Sequence, residues 1–84
     1  MMVGGFYLAA GTVLYIADGD YIGGQGPVFL IVYKALELRR ERGRDWVVLD
    51  GQEKVPDGPW RSRQIQLKTS AIKKSLTRVE LVFA

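Results

Sequence analysis

The chain's 84 residues suit a single domain over 1–84, and a composition that is 48% hydrophobic and 25% charged supports a packed core rather than disorder. Cysteine and histidine are both absent, which excludes disulfides and thiolate metal sites and removes the commonest general base and metal ligand. The formal net charge of +3 permits an anionic partner without requiring one.

From Val3 to Ala17 no residue is charged. That run is shorter than the ~20 apolar residues of a membrane-spanning helix, and it lacks the basic start of a signal peptide. It is expected to form a buried strand pair or one long bent strand, with no membrane association and a cytoplasmic location. Thr12-Val13-Leu14-Tyr15-Ile16 is its most β-like part, dense in β-branched and aromatic residues.

Gly23-Gly24-Gln25-Gly26-Pro27 is the first clear break, and Pro56-Asp57-Gly58-Pro59 is another. Between them, Val28 to Tyr33 reads as a strand buried on both faces, bounded by Pro27. Lys34 to Arg42 contains good helix formers but alternates around Leu36 and Leu38, and reads as the outer, polar part of the same strand. Glu41-Arg42-Gly43-Arg44 then turns the chain into a strand over Asp45–Asp50, with Trp46 read as a core residue.

Arg63 to Lys68 alternates so that Ile65 and Leu67 point inward. Thr69 or Ser70 is placed to cap a short helical turn reaching Ser75. Arg78 to Phe83 alternates again, which predicts a last strand with Val79, Leu81 and Phe83 inward. Five short strands with one helical turn before the last give an all-β class, a small five-stranded barrel. From Thr12 onward this element order resembles SH3-like barrels, and closure into a barrel also removes exposed edges. An OB-like barrel, or an α+β fold with a helix over Lys34–Arg44, is the alternative.

Three short motifs hint at chemistry, and each has a simpler reading. Asp18-Gly19-Asp20 with Gly23 resembles the opening of a calcium loop, but Ile22 and Phe29 stand where oxygen ligands are required. Gly23-Gly24-Gln25-Gly26 lacks the lysine and hydroxyl of a phosphate loop, and Phe29 replaces the last glycine of a dinucleotide fingerprint. Ser70-Ala71-Ile72-Lys73 has the serine–lysine spacing of some acyl enzymes, without their further motifs. No cofactor and no enzymatic activity are expected.

The basic residues carry the stronger signal. Arg39, Arg40, Arg42 and Arg44 are interleaved with Glu37, Glu41 and Asp45 and read as a solvated hairpin tip. From Arg61 to Arg78, in contrast, no acidic residue interrupts Arg61, Arg63, Lys68, Lys73, Lys74 and Arg78. Trp60 lies beside this set and Tyr21 lies in the first long loop, where both rings are available for base stacking. These eight residues define the expected nucleic-acid-binding surface of a non-enzymatic module. The alternative is a protein-interaction module, homo-oligomer or subunit of an assembly, suggested by the very apolar N-terminal run.

Overall fold

A computed structural model describes residues 2–3, 5–24, 26–54 and 58–83, with side chains as far as Val79. Gln25 of the first break and Pro56–Asp57 of the second lie outside the described residues. A two-stranded ribbon, β1 (Met2–Val3) and β2 (Phe6–Tyr7), precedes a four-stranded antiparallel sheet. That sheet contains β3 (Val13–Ile16), β4 (Val28–Glu41), β5 (Arg44–Glu53) and β6 (Arg61–Lys68), in that spatial order. A 3-10 turn over Thr69–Ala71 leads into the helix α1 (Ile72–Phe83).

The predicted long strand through Lys34–Glu41 forms as β4, because alternation there prevails over helix propensity. Arg42 and Gly43 both have positive φ, 53° and 73°, which is the two-residue turn whose twist matches a hairpin. Pairing of β4 with β5 is irregular between Val32 and Lys34 and again between Ala35 and Glu37. Such bulges bend and twist the strand, and the sheet curls into a half-barrel. The chain beyond β3 then reaches the opposite edge: Tyr21 bridges Leu67, and the Ile22 amide donates to the Gln66 carbonyl at 3.1 Å.

The core fills the concave side. Leu14, Ile16, Leu30, Val32, Val47, Leu49, Ile65 and Leu67 come from the four strands, and Val3, Leu8 and Ile72 close the ends. The N-terminal run is thus a short ribbon followed by a separate strand, with Val3 and Leu8 buried and Met2 and Tyr7 exposed.

The expected last strand is corrected. Arg78–Phe83 is the second half of α1, which packs chiefly on β3. Ile72, Leu76, Val79 and Phe83 recur at helical spacing, and this period prevails over the alternation of Val79, Leu81 and Phe83. Ile72 and Ser75 are fully buried, while Lys73, Lys74 and Thr77 face water. The expected hydroxyl cap is not made either: Thr69 donates its side-chain O–H to the Asp45 carbonyl at 3.3 Å instead. Trp46 is half-buried on the side away from the core, with its indole N–H directed at the Glu41 carbonyl at 3.4 Å.

Candidate functional site

Alternation along β3 and β4 turns Leu14, Ile16, Val28 and Leu30 inward, so Tyr15 and Phe29 are presented on the opposite face of the sheet. These two rings are direct cross-strand partners. They meet edge to face with centroids 6.3 Å apart, and Trp60 follows Phe29 at 5.9 Å. The Lys54 ammonium lies 5.2 Å from the Trp60 ring centre, and Trp60 is 39% exposed. Three aromatic rings with a cation over the last thus line one side of the sheet. Tyr33 is also exposed and has the Lys34 ammonium 5.9 Å from its ring.

Arg61 and Arg63 start β6 and converge on Glu53 of β5, donating at 2.8 and 2.6 Å to its two carboxylate oxygens. Glu53 is buried. Burial alone would push its carboxyl pKa up, but the hydrogen bonds and charges of Arg61 and Arg63 hold it below the usual carboxylate value. The Arg63 guanidinium also lies 5.5 Å from the Tyr21 ring. A polar cleft of about 240 Å³ opens here, lined by Tyr21, Pro27, Val28, Glu53, Arg61 and Arg63 among others.

Tyr21 is not a free stacking surface. It is 6% exposed, and its hydroxyl donates to the Gly26 carbonyl at 2.6 Å. Its ring turns back onto the sheet, where its backbone bridges Leu67 of β6. Its neighbour Asp20 is equally buried and faces α1, where Lys74 lies 3.1 Å and Arg78 3.7 Å from its oxygens. Asp18 accepts the Gly26 amide at 2.8 Å. Both carboxylates of the calcium-like motif are therefore engaged within the fold.

The structure divides the six expected cations. Arg61 and Arg63 lie at one end of β6; Lys73, Lys74 and Arg78 are on α1. The consecutive residues Asp20 and Tyr21 join these two groups, one reaching α1 and the other reaching Arg63. Lys68 stands at the far end of β6, opposite Trp46. Ser70 and Lys73 both border an open depression of about 430 Å³ with Lys74, Thr77 and Arg78. Of the expected ring pair only Trp60 is exposed, and sequence reasoning missed Tyr15, Phe29 and Lys54 beside it. Alternation against Leu14, Ile16 and Leu30 was the available signal for the two rings.

The Glu53 pair makes stability depend on acidity in a defined direction. A carboxyl with a lowered folded-state pKa binds fewer protons than in the unfolded chain. Its contribution is present above the unfolded carboxylate pKa and is lost as pH falls through the folded value. Glu53→Gln is expected to cost about 1–2 kcal/mol at neutral pH, with the exposed Arg61 contributing the smaller part. Urea melts of both proteins across the acid range should converge as pH falls. A constant gap would show that the charge is irrelevant.

Together these features define a small, mostly β protein with a curled four-stranded sheet, an aromatic outer face and one packed helix. Among the described residues no helix is long and apolar enough to cross a membrane. Comparison with protein-family models, curated proteins and solved structures gives no match to this chain.

Proposed function

We propose that the protein is a non-enzymatic binding module that holds single-stranded nucleic acid against the outer face of its sheet. The observation that carries this reading is the row Tyr15–Phe29–Trp60 with Lys54 over the exposed indole. Bases stack on exposed rings, and neighbouring cations follow the phosphates. Lys54, Lys34 and Arg61 are the exposed cations nearest these rings in the chain. Arg61 and Arg63 are held by Glu53 on the strand face that carries Ile65 and Leu67, so on the outer face the route for the backbone rests on Lys54 and Lys34. As to architecture, the SH3-like barrel reading keeps one support, the Tyr21–Leu67 bridge, which sets extended chain where a fifth strand would close the sheet. The alternative, a protein-interaction module, is favoured by the exposed Leu36 and Leu38 on the outer half of β4.

Titration of tryptophan fluorescence with a thymidine oligomer of about twelve nucleotides tests the nucleic-acid reading. Binding should weaken steeply with salt. Trp60→Ala should lose about tenfold or more in affinity, matching ~1–3 kcal/mol for one stacked base. Lys54→Ala should reduce the salt slope by about one, and Trp46→Phe should change neither. Absence of salt-sensitive binding by the parent protein would remove the proposal.

A further inference from the structure

β3 covers only the first part of β4. Its register ends at Val13 opposite Ile31, and Val32 still exchanges backbone hydrogen bonds with Thr12 and Gly11. From Tyr33 to Glu41, no strand among the described residues pairs with that edge of β4. The unpaired stretch also carries exposed apolar side chains: Leu36, and Leu38 at 57% exposure. An edge of this kind is a template for another strand.

The hairpin geometry tells which backbone groups are free. A two-residue turn closes on a hydrogen-bonded pair, here Glu41 opposite Arg44. Alternation then directs the N–H and C=O of Glu41, Arg39 and Glu37 to β5. Those of Leu38 and Arg40 point to the open edge.

We infer that this edge pairs antiparallel with the same edge of a second copy, with Leu38 on the two-fold axis. Leu38 then exchanges both backbone hydrogen bonds with Leu38 of the other copy, and the two side chains touch. On the opposite face of the strand Glu37 meets Arg39 of the other copy, and Arg39 meets Glu37. The register is self-selecting. Moving the axis one residue to either side sets Glu37 on Glu37 or Arg39 on Arg39, and like charges directly opposite each other are destabilising. Within one chain the Arg39 guanidinium pairs with Glu37 at 2.6 Å and reaches Gln66 of β6 at 3.2 Å, so it turns from these partners to meet Glu37 of the other copy. The groove of about 360 Å³ between Met2, Val3, Leu38, Arg39 and Arg40 runs beside the axis, and Met2, 59% exposed, adds apolar surface to it. Such an isologous contact closes on itself and yields a dimer rather than a fibre.

Sedimentation of the full chain over a range of concentrations should show mass rising from 9.4 kDa toward twice that value. Glu37→Arg alone and Arg39→Glu alone should each weaken the dimer by about tenfold or more, since two like-charge contacts replace two attractive ones. The double variant Glu37→Arg/Arg39→Glu should restore it. A cross-link provides a readout that does not depend on affinity. The opposed Cα atoms of a hydrogen-bonded pair lie about 5.5 Å apart, within disulfide reach, and the chain has no cysteine of its own. Leu38→Cys should therefore oxidise to a covalent dimer much faster than Ile22→Cys, whose position is comparably exposed at 50%. A monomer at every concentration, equal cross-linking at both positions, or no rescue by the charge swap would each overturn the inference.

Discussion

Gly51→Ala is expected to destabilise the protein by about 3 kcal/mol, the upper end for overpacking, because the clash is with backbone. Gly51 sits near the end of β5 opposite Val32, next to the first bulge of β4. A Cβ built there would press on the carbonyl oxygen of Ile31 and meet Leu30 Cδ1 at 3.1 Å. The Ile31 oxygen belongs to a strand paired on both sides at this point, so it has nowhere to retreat. The glycine is needed for space rather than for a left-handed φ. It lets the Ile31 carbonyl of β4 approach β5 closely, beside the bulge between Val32 and Lys34 that bends the strand. For a domain of this size the loss corresponds to a fall in Tm of roughly 15 °C. Gly19→Ala is the matched control, since its Cβ would meet nothing within 4 Å and its φ is not positive. Calorimetry should find that variant within about 0.5 kcal/mol of the parent. A Gly51→Ala protein equally close to the parent would show that the sheet does not depend on that close approach.

This role of Gly51 could not be read from the sequence, because the atoms it accommodates are some twenty positions away and meet it only after β4 has bent. What depended on local pattern was legible. Ile65 and Leu67 alternate with polar neighbours and are buried as expected. Arg42–Gly43 makes the turn that its flanking strands require. The C-terminal segment is ambiguous in the sequence because Val79, Leu81 and Phe83 satisfy a two-residue period as well as Ile72, Leu76, Val79 and Phe83 satisfy a helical one. The buried Ser75, a polar residue on the helix's inner side, further obscures the helical stripe. At the candidate site, Trp60 and its basic neighbours were visible from composition. Their separation into two groups was not, because it depends on Glu53 and Asp20, buried acids contributed by distant elements.

Tyr21 shows most plainly how a residue assigned to a loop surface becomes structural, and Tyr21→Ala should cost about 3–5 kcal/mol, the range for deleting a buried aromatic side chain. Three contacts converge on it. Its backbone bridges Leu67 of β6, its ring lies under the Arg63 guanidinium, and its hydroxyl holds the Gly26 carbonyl. The ring therefore joins the chain after β3 to the far edge of the curled sheet, and it ties down the glycine-rich segment on the way. Tyr21→Phe keeps the ring and loses one hydrogen bond, so about 1 kcal/mol is expected. Urea unfolding separates the two variants in size, and amide exchange locates the effect. The Ile22 amide, bonded to the Gln66 carbonyl at 3.1 Å, should lose its protection in Tyr21→Ala while the β4–β5 amides keep theirs relative to global stability. If Tyr21→Ala costs no more than Tyr21→Phe, the ring is dispensable. The approach of the chain after β3 to β6 would then have to be held by α1 and the core alone.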